Sequence, residues 1–228
     1  MNRFAVATIT LTVLIGSFAF AQDATPKVQA FAGYSLMQLT HGGPTIATVD
    51  LNLKQITDAF GTANTFNGWS AEGQYNVDRW FGVVADVGGR PGTFLTGAPA
   101  ISGMPTGSMY SFLAGPVISY RTKSRVTPFV HLLFGWDRSS LSASTITGLT
   151  TPVPVTATNY SDFAVALGVG VDYRLFRHVA IRAGQLDYYH TSLNSDKFYN
   201  NAFDSQLFQG LSTRQRNLRF STGVVVQF

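Results

Sequence analysis

The sequence predicts an all-β fold: an eight-stranded antiparallel up-and-down β-barrel that crosses a membrane with its strands. Three observations carry this expectation. Charges are scarce while aromatics and glycines are plentiful. Eight segments alternate apolar and polar residues with a period of two. The connections between those segments alternate long and short.

Charged residues make up 12% of the 228 positions, about half the roughly 25% typical of soluble domains. Aromatics reach 13%, with 18 Phe and 9 Tyr, and there are 22 Gly. Mean hydropathy is only slightly positive, which excludes a bundle of apolar helices. Composition alone fits a greasy-faced membrane sheet and a soluble β-sandwich equally well. Cysteine is absent, so there is no disulfide framework, thiolate metal site or cysteine nucleophile. His41, His131, His178 and His190 are scattered and show no metal-ligand spacing. The net charge is +4, and Arg121, Lys123 and Arg125 read as a turn, not a nucleic-acid footprint. No phosphate loop is present. The chain therefore implies no cofactor, no metal and no nucleic-acid partner.

The N-terminus reads "MNRFAVATITLTVLIGSFAFAQDA". One positive charge at Arg3, a short apolar run and Ala19-Phe20-Ala21 make a secretion signal, with cleavage expected between Ala21 and Gln22. The apolar run is shorter than the about 20 residues a membrane helix needs. Residues 1–21 are thus the signal peptide and residues 22–228 a single barrel domain. Export without cysteine fits a bacterial envelope.

The first strand is expected at residues 28–37, followed by a connection of 30 residues. The second, 68–77, sets Trp69, Ala71, Tyr75 and Val77 against Ser70, Glu72, Gln74 and Asn76. Only Asp78 and Arg79 separate it from the third, 80–89. A long stretch leads to the fourth, 109–120, where Pro116 forfeits a ladder bond and should mark a bulge or local distortion. A short turn gives the fifth, 128–137. Residues 138–160 are long and loop-like. The sixth, 161–174, has Phe163, Val165, Leu167, Val169, Val171 and Tyr173 on one face, with small or charged residues on the other. A short turn leads to the seventh, 179–191, and a long connection to the eighth, 217–228. There Leu218, Phe220, Val224, Val226 and Phe228 share a face, opposite Arg219, Ser221 and Gln227.

In a soluble sandwich the polar face would carry Lys, Glu and Thr. Here it is Gly, Ala and Ser with isolated charges, which suits the cramped bore of a narrow barrel, with the large residues turned to lipid. The four long connections fall at one end of the sheet and the three short turns at the other, as in outer-membrane barrels. Lipid leaves no partner for an open edge, so the first and last strands must pair. Tyr34, Trp69, Tyr75, Tyr110, Tyr120, Trp136, Tyr173 and Tyr188, near strand ends, would form interfacial girdles.

With "FAGYS", "GVGVDYRL", "IRAGQLDYYHT" and "RQRNLRFSTGVVVQF", this pattern resembles the small OmpA-type β-barrel outer-membrane proteins over essentially the whole mature chain. The resemblance implies a place in the bacterial outer membrane among lipid and lipopolysaccharide. It also implies that Phe228, with the alternation before it, is the signal read by the barrel-assembly machinery. The barrel is expected to be a monomer, and the sequence names no extracellular ligand.

On this register the inward ionisable groups are Glu72, Asp86, His131, Asp172, Asp187 and Arg219, with Arg121 and Arg174 near the short-turn rim. A bore this narrow is filled by side chains, and charges buried there must pair. A plugged, cross-linked lumen is expected; a proton or ion path is the alternative. Alternation turns Arg182 outward unless a bulge at Gly184 turns it in. His190 and Ser192 are two apart and share a face, the base–nucleophile spacing of outer-membrane lipid A deacylases, with Asp196 or Asp204 to orient the His. The rest of that pattern is missing, and a polar strand end explains them. Asp78-Arg79 and Asp137-Arg138 read as turn and rim charges. The expected role is structural or surface-interaction, without enzymatic activity. A narrow channel, or a lipid-modifying enzyme, is the alternative.

Overall fold

The computed structural model describes residues 25–39, 65–93, 102–103, 105–147, 152–192, 201–202 and 215–228. The expected signal peptide, residues 1–21, lies outside them. Eight long strands close a barrel: β1 (Val28–Leu39), β2 (Thr65–Asn76), β3 (Phe81–Thr93), β4 (Thr106–Ser119), β5 (Val126–Leu141), β8 (Thr158–Arg174), β9 (Val179–Thr191) and β10 (Gln215–Gln227). All neighbours are antiparallel, and β1 closes on β10 from Gln29↔Gln227 to Leu39↔Asn217. β6 (Ser144–Ile146) and β7 (Val153–Val155) form a separate two-stranded sheet.

Alternation sets the two faces. In β8, Ala164, Ala166, Gly168, Gly170 and Asp172 are buried in the bore, while Phe163, Leu167, Val169, Val171 and Tyr173 are exposed on the outer wall. All eight aromatics expected in the girdles are exposed. Trp69 is paired with Gly89, and a Cβ on that glycine would sit 2.7 Å from the indole ring. The missing side chain lets the ring lie flat across the neighbouring strand.

The strands run past their expected limits on the long-connection side. β5 and β8 stay paired up to Leu141↔Thr158, because a ladder needs a neighbouring strand and not a lipid. The stretch 138–160 is therefore not one loop: it ends two long strands and holds β6 and β7. Pro116 makes no bulge. The β3 pairing runs evenly through Val83↔Pro116. The β4–β5 pairing skips that point and resumes in register at Val117↔His131. The ladder lapses locally at Gly115 and Pro116, the distortion expected where the N–H is lost, without moving the other rungs.

Arg182 faces inward. Val171 pairs with Gly184 but Asp172 with Arg182, and on the other side Ser221 pairs with Gln185 but Gly223 with Arg182. Ala183 and Gly184 together thus oppose the single Thr222, a β-bulge that flips the alternation.

The short turns, residues 77–80, 120–125 and 175–178, share one end with Lys27 and Phe228. In the first, Asp78 Oδ1 accepts from the backbone N–H of Trp80 at 2.6 Å and of Phe81 at 2.8 Å. These bonds hold its carboxyl below the ordinary aspartate range. A depressed pKa stabilises the turn above about pH 4 and releases it as pH falls through the lower folded value. Hydrogen exchange at Trp80 and Phe81 should therefore show a turn opening that increases below pH 4 and is present at all pH values in Asp78→Ala. An opening unaffected by either change would refute this.

Candidate functional site

The bore is crossed by a continuous polar network. Arg219 on β10 donates from Nη1 to Asp86 on β3 at 2.7 Å and from Nε to Asp187 on β9 at 2.6 Å. Asp187 Oδ1 lies 2.8 Å from His131 Nε2 on β5. Gln185 Nε2 donates to Asp187 Oδ2 at 3.1 Å, while its Oε1 accepts from Arg182 Nη1. The same Nη1 reaches Glu72 on β2, and Arg182 Nε donates to Asp172 on β8 at 2.9 Å. Arg182 is also sandwiched, its guanidinium carbon 4.4 Å from the ring centres of both Phe31 and Phe129, which satisfies its flat faces while its edges make ion pairs. The strands bearing Glu72 and Asp86 stand three places around the ring from those bearing Arg182 and Arg219. The ion pairs therefore span the bore instead of running along one wall.

Gly168 makes this geometry possible. It is paired with both His131 and Asp187, and a Cβ there would lie 1.8 Å from Asp187 Oδ1 and 2.3 Å from His131 Nε2. The two side chains meet across a glycine because nothing else fits beneath them.

All six expected lumenal residues are buried, and the network joins them. Arg182 and Gln185 link its two halves, and plain alternation could not place Arg182. Asp137 is not a rim charge. It is buried on the inward face of β5 and accepts from the Tyr189 hydroxyl. Arg90 belongs to the inward series Asp86, Gly88, Arg90 of β3 and is 1% exposed. Among the described residues its Nε and Nη1 find no hydrogen-bond partner, nor do Ser111 Oγ, Asp137 Oδ2, Thr191 Oγ1 and both amide atoms of Asn217. At the short-turn rim, Arg121 donates to the Arg79 carbonyl and to Asn76 Oδ1 at 3.1 and 3.0 Å. Burial lowers its pKa. Arg174 is exposed at the same rim.

His190 is half-buried and Ser192 exposed. Among the described residues no hydrogen bond joins them, and Asp196 and Asp204 lie outside that set. No group of three or more His, Asp or Glu fit to hold a metal ion occurs among the described residues. Of the long connections, residues 40–64, 94–101, 148–151, 193–200 and 203–214 lie outside the described set. The described pieces are tied together. Ser102 bridges Thr147, and Gly103 beside it has φ +73°. Thr156 N–H donates to the Ala202 carbonyl at 2.7 Å.

The family described as outer membrane protein beta-barrel domain matches residues 7–221. No curated protein is a match. Among solved structures, Neisserial surface protein A is 14% identical, over 89% of this chain and 97% of its own, with a TM-score of 0.51. Ail, the attachment invasion locus protein of Yersinia pestis, is 14% identical over 89% and 99%, with a TM-score of 0.49. OprG from Pseudomonas aeruginosa is 9% identical over 90% and 97%, also at 0.49. At 14% identity the likeness to the neisserial protein is one of fold. The family match spans nearly the whole chain and agrees with a closed wall whose large side chains face outward: the chain belongs to the outer membrane protein beta-barrel domain family, and its place is the bacterial outer membrane.

Proposed function

We propose that the protein is a structural or surface-interaction barrel that neither catalyses a reaction nor conducts solute through its bore. The observation that carries this reading is the ion-pair network from Asp86 through Arg219, Asp187 and Gln185 to Arg182. It crosses the lumen with charged groups paired to one another, so a passing ion would have to break those pairs. In planar bilayers the wild-type protein should show no unitary conductance, and stable steps altered by Asp86→Asn would overturn the reading. A narrow water-bearing path is the second reading. It is favoured by the unpartnered buried atoms of Arg90, Ser111, Asp137 and Asn217, which call for bridging water.

The absence of catalysis has its own test. Lipid A from cells expressing the wild type, His190→Ala or Ser192→Ala should give the same mass spectrum. An acyl-chain loss confined to the wild type would make these residues catalytic. Signal-peptide cleavage after Ala21, insertion among lipid and lipopolysaccharide, and a monomeric state belong to the same reading, since closure leaves no free edge for a second copy. So does reading of Phe228 by the barrel-assembly machinery. Deleting Phe228 should reduce outer-membrane levels far more than deleting any single long-loop residue; equal levels would sink that assignment.

A further inference from the structure

We propose that the short-turn rim is a docking surface for the headgroups of anionic phospholipids in the leaflet it faces, the periplasmic one in barrels of this family. Lys27, Arg79, Lys123, Arg125 and Arg174 are exposed there, with Arg121 beside them. Among the described residues the rim's exposed acidic side chain is Asp78, whose carboxylate is engaged by its own turn. The opposite end has no such excess. Its connections, residues 40–64, 94–105, 142–157 and 192–214, carry Lys54, Lys197 and Arg214 against Asp50, Asp58, Asp196 and Asp204. The charge asymmetry between the two ends is a property of the sequence as the topology distributes it.

Depth selects the partner. Tyr75, Trp80, Phe81, Tyr120, Tyr173 and Phe176 form an exposed belt at the same rim, and aromatic belts settle at the headgroup level. The Arg79 guanidinium sits 5.4 Å from the centre of the Trp80 ring, which is itself 5.0 Å from the Tyr120 ring. The cations therefore project at the depth of lipid phosphates, nearer than any polymer beyond the membrane. They are also preorganised. Arg79 Nε donates to the Arg121 carbonyl at 3.0 Å. The backbone bonds Arg174 to Arg125, Gln227 to His178, Lys27 to Phe228 and Asn76 to Lys27 carry the ring onward. A rigid circle of cations meets mobile anions without first ordering its own backbone.

The test uses the full refolded protein in phosphatidylcholine bilayers, with spin-labelled phosphatidylglycerol or spin-labelled phosphatidylcholine as the probe. At low ionic strength the motionally restricted fraction should favour phosphatidylglycerol by about 3-fold, and the preference should fall towards unity near 0.5 M salt, where screening is short-ranged. The combined variant Lys123→Gln, Arg125→Gln and Arg174→Gln should lose the preference at low salt. Arg138→Gln, at the opposite end, should keep it. Heat-modifiable gel migration verifies folding, and if the triple variant does not refold, the wild-type salt titration decides alone. Equal association of the two lipids in the wild type, a salt-independent preference, or a preference retained by a folded triple variant would overturn the proposal. So would retention on purified peptidoglycan that the triple variant loses while its lipid preference stays.

Discussion

Replacing Arg219 by alanine should lower the unfolding free energy by about 3–5 kcal/mol, the usual loss when one partner of a buried ion pair is removed. The side chain is fully buried and bonded to both Asp86 and Asp187. Its removal takes from Asp86 the hydrogen bond it receives from Arg219 and from Asp187 one of its donors, leaving Asp187 with His131 and Gln185. Arg219→Lys should recover only part of the loss, because a single ammonium cannot reach two carboxylates through the planar fork that Arg219 presents. Urea titrations followed by tryptophan fluorescence in one fixed lipid or detergent would measure both variants. An Arg219→Ala midpoint equal to the wild type would show that the network is not what holds the bore together.

Gly168→Val should cost about 2–4 kcal/mol, from a broken buried hydrogen bond and a displaced neighbour. The new side chain would occupy the space where His131 meets Asp187, so the imidazole, the carboxylate or the strand has to move. Gly73→Ala is the control. Nothing lies within 4 Å of the added Cβ there, and its effect should stay within about 0.5 kcal/mol. Equal losses for the two variants would mean that glycine is needed in these strands for backbone reasons and not to make room.

The sequence foretold most of the wall and less of its contents. The faces of β2, β8 and β10 could be read because period-two alternation between large and small residues survives any choice of neighbours. Both irregularities could be named in the sequence, at Gly184 and Pro116, but their outcome could not be decided from a single strand. The bulge at Ala183–Gly184 exists only relative to Thr222 on β10, so Arg182 turns inward by a rule its own strand does not contain. Pro116 called for a bulge or a local distortion, and the second is what occurs: the β5 side lapses at Gly115 and Pro116 while the β3 side keeps its register. Asp137 and Arg90 stand at the ends of expected strands, Asp137 as the last residue of the fifth and Arg90 one residue past the third. Carrying the inward alternation of His131 and Asp86 to those positions puts both in the bore. β6 and β7, at three residues each, are too short to show a period. The role of Gly168 is a statement about three strands at once, which no reading along one chain segment supplies.

The ion pairs that cross the bore bear on how the protein enters its membrane. Arg219 lies on the last strand to be made, while Asp86 lies on the third, so this contact exists only once the ring is shut. Until then the inward charges of the early strands have no counterions on the opposite wall, and lipid offers none. A partly zipped sheet is therefore penalised relative to both the chain in water and the finished cylinder. Insertion and closure should thus be a single concerted transition, with its neutralising step held back until the end.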